Sequence, residues 1–592
     1  GETRESSFDV VVVGAGFAGL ACAQLLASCG ARVVVLEGRD RIGGRCHTGC
    51  FEALPQHNLK ECPVEYGCNY LHGCAPFPRA HPLYVLARSL RLPTATAPGD
   101  IGGRYSGWES AELALWRDAA TGEVIPLTEI AEMTVFMQHV LLGMHHFAKV
   151  DPQKSLEWGW QQAVAALQET RKMQLSDRQM AILFKLRGRA VGYVAPFDSI
   201  PITEALAVVD DDEDTEDYWP SLLSGAWNIE NQLRRFTRFL HGKYELAMTP
   251  TIVDDGAAID LGEDRIVLGN GFGQLVRFFR HGVDVRLGEV VSKVEYGAHG
   301  CTVTSTTGKW VAKAVVVTAP IAVLARETGQ AAIEFSPPWP AVKRAALNRL
   351  VPRWEEGHAT HNKVVLRYTE VFWPSAPHFE TTDRRFHILN LDHIGRRGQV
   401  LAHIWGDSGF SPAGLSDAEV AEATAKAFAI AAGVPDAPSP AQYHVTRWSE
   451  DPFALGAYSQ SGPGASDDDV ELIRAPLGGC VFFAGEGMAV KDRGGQCTHG
   501  ATVTGFEVAV EIGDELLNLN MPDSAFCLHH LLRYVGGILG CPGAGTRDPA
   551  CNVCSEDVRD EAAESRSKKQ RLSDSRGCPV VCNDCARVIN SH

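Results

Sequence analysis

Three groups of residues could do chemistry by their type and spacing. The first is a lysine in an apolar setting. Lys363 opens the run HNKVVLRY, residues 361–368, which reads as a buried strand. An ammonium in a core is costly without a partner, which leaves two readings for Lys363. It is a proton-handling group whose charge desolvation suppresses, or an edge-strand side chain that reaches solvent. The second group is a glycine run with an acid behind it. Gly14 permits a tight turn, Gly16 lets the backbone approach a pyrophosphate, and Gly19 lets helix and strand pack closely, with Ala18 in the same turn. Glu37 follows Gly19 at close to the ~20-residue offset of an acid that binds a ribose. The third group is a pair of C-x-x-C hooks, Cys551 with Cys554 and Cys582 with Cys585, which have the form of zinc ligands.

Each group needs elements to hold it. FDVVVVGAGFAGLACAQLLASCGARVVVLEGRD runs from an apolar strand over 10–13, through the glycine turn, into an Ala/Leu-rich helix and a second strand over 33–36. That is one βαβ unit for a dinucleotide, with the helix N-terminus and its positive dipole end at the phosphates. The unit alone does not separate NAD from FAD. The two hooks lie in a tail where composition changes, after about residue 515. The gap between them exceeds the usual ~15–20 residues, with Cys541 and Cys578 as substitute ligands. A four-thiolate zinc site and an unstructured tail of free thiols both stay open.

At 592 residues the chain exceeds one compact core, and two packed domains with additions are expected. A net charge of −17 argues against nucleic acid as the main partner and would draw small amines and polyamines toward an acidic mouth. The acidic run over 208–219 could serve that attraction, or be a solvated loop. Its 17 cysteines, an odd number, and the lack of any Asn-x-Ser/Thr sequon indicate a reducing compartment. The opening GETRESSFDV has no leader pattern, and runs such as AVVVTAPIAVLA are shorter than the ~20 residues that span a bilayer. An intracellular protein, cytoplasmic or nuclear, with no membrane partner is expected.

GRDRIGGRCHT, with Arg39, Gly43, Gly44 and Arg45, resembles the R-x-G-G-R signature of the FAD-dependent amine oxidase superfamily, which includes polyamine oxidases, monoamine oxidases and lysine-specific histone demethylases. Arginines beside a glycine pair can hold a second phosphate. The resemblance runs over roughly residues 8–515. PVEYGCNYLHG, 63–73, is similar to the segment that passes the flavin, with Asn69 and Tyr70 at contact positions. His72 falls where polyamine oxidases often carry a His or Glu near the substrate; a loop-capping histidine is the competing reading. HGVDVRLGEVVSKVEY, 281–296, resembles the strand pair with the adenine-facing valine, here Val291. RWSEDPFALGAYSQ, 447–460, places Tyr458 on the aromatic position that faces the flavin. Ala457 stands where monoamine oxidases carry their tethering cysteine, which implies non-covalent FAD.

VFFAGEGMAVKDRGGQCTHGATVTGFEVAVEI, 481–512, resembles the last cofactor motif. It implies Glu486, after Gly485, as an acceptor for ribityl or ribose hydroxyls. A helix begins near Thr498 with its N-terminus at the flavin N1 and C2 carbonyl, and Cys497 and Thr498 lie at that contact. HNKVVLRYTEVFWP matches the strand whose lysine is held near flavin N5 through a water, which gives Lys363 its task. Ile321-Ala322 departs from the family's glycine after Pro-Leu.

The resemblance implies an α/β fold: a Rossmann-type FAD-binding domain of 8–75, 265–335 and 446–515, interleaved with an α+β substrate domain of 76–264 and 336–445, in which helices flank a mixed sheet. Residues 516–592 form the cysteine-rich tail, which also offers a site for a protein partner. The implied reaction oxidises an amine, a polyamine in the first reading, to an imine that water hydrolyses, with O2 reduced to H2O2. Lys363, His72 and Tyr458 are the implied catalytic residues. Cys497, in place of a second tyrosine, opens the aromatic cage to longer or bulkier amines. Two alternatives stand: demethylation of methyl-lysine on a protein, and a catalytically weak flavin-stabilised scaffold.

Overall fold

The valines of FDVVVV are buried on both faces, as a central parallel strand requires. Their strand, Ser6–Val13, pairs in parallel with Val33–Glu37 on one side and Gly308–Val317 on the other. The computed structural model describes residues 6–72, 74, 81–97, 114–190, 202, 264–351, 361–405, 410–459, 465–490, 495–522 and 527–538. The first sheet has eight strands in the order Glu334–Ser336, Lys293–Gly297, Gly300–Ser305, Gly308–Val317, Ser6–Val13, Val33–Glu37, Asp284–Leu287, with Val481–Phe483 also on Gly308–Val317. It therefore gathers segments from far apart in the chain around one βαβ unit.

The crossover helix of that unit, Phe17–Ser28, is apolar nearly all round because it is covered on its outer side too. Helix Thr498–Glu511 packs on it so closely that a Cβ on Gly505 would lie 2.4 Å from the Ala18 carbonyl oxygen. Helix Cys527–Ile538 adds Leu528, Leu531 and Leu532 to the same core, and Ser28 Oγ lies 2.9 Å from His530 Nε2.

The second sheet has six strands, Gln442–Val445, His361–Arg367, Gln399–Trp405, His387–Asn390, His378–Thr381 and Ala114–Arg117. All neighbours are antiparallel except the last pair. Its two faces differ by the strand's period of two. Val364, Leu366, Ala402 and Ile404 pack with Phe428 of helix Asp417–Ala432. His361, Lys363, His403 and Trp405 therefore stand on the opposite face. Helices Leu127–Val150, Leu156–Arg171 and Asp177–Ala190 form a further cluster around Trp116 and Trp160. No helix among the described residues is long and apolar enough to cross a membrane. The acidic run over 208–219 and the cysteine hooks of the tail lie outside the described residues.

Candidate functional site

The glycine turn is built as tightly as its sequence requires. Gly14 has φ +105, and a Cβ there would sit 2.5 Å from Thr318 Oγ1, whose hydroxyl donates to the Val13 carbonyl at 2.8 Å. A Cβ on Gly19 would lie 2.0 Å from the Gly14 carbonyl oxygen, so helix and turn are in backbone contact. Gly16 differs: a Cβ there meets nothing within 4 Å. It is the N-cap of Phe17–Ser28 with no side-chain cap, so the first-turn N–H groups face open space. Glu37 accepts from Ala15 N at 2.7 Å and Arg39 N at 2.9 Å, and so holds the turn from behind.

One cleft runs along this turn, with about 1070 Å³ of empty space counting its open mouth. Gly14, Gly16, Ala18, Glu37, Arg39, Gly44, Arg45, Val291, Tyr458, Gly485, Glu486, Cys497 and Thr498 all line it. Gly19, Asn69, Tyr70, His72 and Lys363 are not among its lining residues. A second helix N-terminus, that of Thr498–Glu511, opens onto the cleft with Cys497 as an N-cap that makes no side-chain cap bond. Two uncapped helix starts and an open glycine cradle suit an elongated molecule with phosphates in its middle. The buried Asn69 amide has neither its nitrogen nor its oxygen hydrogen-bonded, the state of a group that a polar ligand completes. The residues present fit FAD.

Charged residues reach the cleft already paired. Arg39 Nη2 binds the Asp451 carboxylate at 2.8 and 2.9 Å, and its guanidinium carbon lies 5.2 Å from the Phe453 ring centre. Arg45 Nη1 lies 2.8 Å from Glu486 Oε1, and Ser459 donates its N–H and hydroxyl to the same carboxylate. Arg41, the first arginine of R-I-G-G-R, donates to the Gly44 carbonyl at 2.8 Å and braces the glycine pair.

Lys363 lies on an interior strand, between Gln399–Trp405 and Gln442–Val445, which excludes the edge-strand reading. Its side chain is buried and Nζ donates to the Gly67 carbonyl. Gly67 precedes Cys68, a lining residue, and a Cβ on it would lie 1.8 Å from the Arg45 carbonyl oxygen. The lysine is thus clamped one residue from the cleft wall. The neighbouring Asn362 Oδ1 accepts from Trp448 N at 3.0 Å, and Trp448 Nε1 donates to the Tyr66 carbonyl at 2.9 Å.

His72 is held by a residue that sequence reading did not single out: its Nδ1 lies 2.9 Å from Asp264 Oδ2, a carboxylate 1% exposed. Tyr70 is 5.6 Å away, ring to ring. Close by, His81 Nε2 and His499 Nδ1 are 2.9 Å apart in full burial. Burial, and then the neighbouring imidazoles, push His81 well below its ordinary value and His499 down to about 3.

Tyr458 meets the second sheet. Its ring is edge-on to His361 at 5.7 Å, and His361 stacks on Trp405 at 4.7 Å. His361 Nε2 is 2.8 Å from His403 Nδ1, and His403 also stacks on Trp405. His387 stands edge-on to Trp405 and its Nδ1 is 3.2 Å from Glu380 Oε1, whose other oxygen is 2.5 Å from Lys185 Nζ. Burial, and then the charge of Lys363 for one ring and the partner imidazole for the other, hold His361 and His403 well below the ordinary histidine value. Burial alone would raise the Glu380 carboxyl, but Lys185 and His387 outweigh it and hold it below the usual range. Among the described residues no group of His, Cys, Asp or Glu could hold a metal ion, and the four cysteines proposed for zinc lie outside them.

Comparison with known proteins gives the chain a family and a fold likeness. The family model for flavin containing amine oxidoreductase matches residues 17–513. Polyamine oxidase 2 of Arabidopsis thaliana is 28% identical, over 86% of this chain and 88% of its own. Lysine-specific histone demethylase 1 homolog 3 of the same plant is 27% identical over 86% of this chain, which spans 30% of that longer protein. A solved putrescine oxidase bound to putrescine superposes with TM-score 0.58 at 20% identity, covering 86% of this chain and all of that one, a likeness of fold.

Proposed function

We propose a function from one premise: the chain belongs to the flavin containing amine oxidoreductase family. It is an FAD-dependent amine oxidase, and the substrate we assign is a polyamine. When bound, FAD supplies the two-electron acceptor for an amine C–H and passes the electrons to O2. The chain's part is placement. The first-turn amides at Gly16 and the open cradle beside Gly44 take the phosphates, and the helix start at Thr498 favours negative charge at the far end of the cleft. Lys363 holds a buried amine behind that end, suited to moving a proton without solvent.

An ammonium has no lone pair to push during C–H oxidation, so the site must keep its substrate neutral at the reacting nitrogen. Tyr458 and the uncharged imidazoles beside it form a wall that does so. The observation that carries the polyamine reading is His72 on the buried Asp264: a carboxylate-backed imidazole near the cofactor segment suits a second nitrogen on the same substrate. The relatives named polyamine oxidases, matched over most of their length, support it. Demethylation of methyl-lysine is the second reading, favoured by the demethylase homologues, of whose own lengths the chain spans 30% and 58%.

Anaerobic bleaching of the FAD-loaded protein is expected with spermine, spermidine or their acetylated forms, followed by peroxide on admitting air. Bleaching by methylated histone-tail peptides alone would transfer the assignment to the second reading. No bleaching by any amine would remove both.

A further inference from the structure

The histidine face of the six-stranded sheet abuts Tyr458, and the assignment above leaves its hydrogen-bonding capacity unused. We propose that His361 determines which amines the site accepts: its imidazole takes a hydrogen bond from an N–H of the bound amine beside Tyr458, so primary and secondary amines are oxidised and tertiary amines are turned away. The inference rests on the amine-oxidase reading and narrows it.

Register carries the geometry. His361 opposes Trp405 and Lys363 opposes His403 across the antiparallel pair, so all four side chains stand on one face. Within that group burial is graded. His403 and Trp405 are buried, whereas His361 is part-exposed and is the member in ring contact with Tyr458, a lining residue of the cleft. His361 is also two positions from Lys363, whose amine is clamped to Gly67 at the cleft wall. The ring therefore stands directly beside Tyr458, within reach of an amine held against that residue.

Its orientation is fixed twice, by the stack on Trp405 and by the 2.8 Å bond to His403. A neutral imidazole has one donor and one acceptor nitrogen. When His361 Nε2 donates to His403 Nδ1, Nδ1 of His361 is left as the acceptor. An arriving amine, rich in N–H groups, selects that tautomer of the pair. The reacting neutral forms then differ in kind: a primary amine has two N–H groups, a secondary amine one, a tertiary amine none. A tertiary nitrogen leaves the acceptor buried and unanswered, which is the physical basis of rejection.

The test takes the primary amine that reduces the flavin of the FAD-loaded full chain fastest, with the forms that carry one and two methyl groups on that same nitrogen, and measures anaerobic reduction rate and dissociation constant. The wild type should lose about tenfold or more in rate over dissociation constant at the second methyl group, and little at the first. In His361→Leu the series should flatten to within about threefold, because the first two amines fall to the level of the third. His361→Asn, which keeps an acceptor, should restore part of the slope, an outcome that loss of packing does not produce. The rise in unfolding temperature at saturating amine should follow the same order without turnover. Equal rates for all three amines in the wild type, or an unchanged slope in His361→Leu, overturn the proposal while the amine reading stands. If the leucine variant does not retain FAD, the wild-type series and the asparagine variant decide. Failure of every amine to reduce the flavin overturns both.

Discussion

The cofactor cleft and the histidine face of the second sheet meet at Tyr458 and are built on opposite principles. The cleft is made by leaving things out. At Gly14 the Thr318 hydroxyl, and at Gly19 and Gly67 backbone, occupies the space of a side chain, while Gly16 leaves that space open to the cleft. The sheet face is made by putting polar groups in: His361, His403, His387, Glu380 and Lys185, each buried or part-buried and each with a partner. A site for a large fixed cofactor needs shape, which glycine provides at little electrostatic cost. A site that sorts small amines needs hydrogen-bonding groups, whose desolvation has to be offset one by one. Variants on the two sides should therefore fail differently.

The largest effect belongs to the sheet face. Lys185 and Glu380 are an almost wholly buried ion pair, and Lys185→Met leaves the carboxylate without its main counter-charge. Stability in urea or heat unfolding should fall by about 3–5 kcal/mol at neutral pH. The loss should shrink in acid as Glu380 protonates, and the added Glu380→Gln should recover much of it. If Lys185→Met is as stable as the wild type, that face is not held by paired charge.

The cleft makes the next contrast, between two glycines three positions apart. Gly19→Ala forces a methyl group onto the Gly14 carbonyl and should destabilise the cofactor-free protein by about 1–3 kcal/mol. Gly16→Ala meets open space, so it should leave that stability within about 0.5 kcal/mol while weakening FAD retention. Equal thermal stability of the two variants would show that the packing at Gly19 is not tight. A smaller effect is expected where the regions join. Lys363→Met should keep FAD but slow flavin turnover by about tenfold or more, the equivalent of ~1.4 kcal/mol, and unchanged kinetics would make the lysine structural.

The same contrast explains what the chain discloses in one dimension. The βαβ unit is legible because Gly14 to Glu37 is one unbroken stretch, and local rules hold within it. The arginine beside the glycine pair is less so. Arg39 looks like a phosphate ligand from its position, but it pairs with Asp451, from a segment far along the chain, and Arg41 braces the turn instead. Lys363 stood out because a lysine interrupts an apolar run. His361, two positions earlier, sent no such signal. Its meaning comes from Trp405 and His403, which only strand register brings beside it. Asp264 was hidden for a similar reason: nothing local to DLGEDRIV announces a partner at His72. The cysteine tail kept its two readings, since its ligand spacing fits neither decisively.

The last prediction concerns a buried acid near the cleft that has no cation in direct contact among the described residues. Glu65 lies behind the glycine loops. It accepts from Phe272 N and from the Thr48 hydroxyl, each at 2.8 Å, and a Cβ on Gly271 would fall 1.9 Å from its carboxylate oxygen. Burial outweighs those hydrogen bonds, and the more distant charges of Arg396 and Lys363, to raise its carboxyl to about 7. An unfolded glutamate titrates near ~4.3, so between these values the folded chain binds a proton that the unfolded chain has lost. The stabilisation is complete below the unfolded value and disappears as pH rises through the folded one. Glu65→Gln mimics the protonated form: its oxygen can accept from Phe272 N and its amide can donate to Thr48. The wild-type unfolding temperature should therefore fall relative to Glu65→Gln between pH 5 and pH 8, by about 1–3 °C in a chain of this size. Parallel profiles for the two proteins would mean that Glu65 is ionised throughout, and that the cleft stabilises a buried carboxylate as well as the sheet face does.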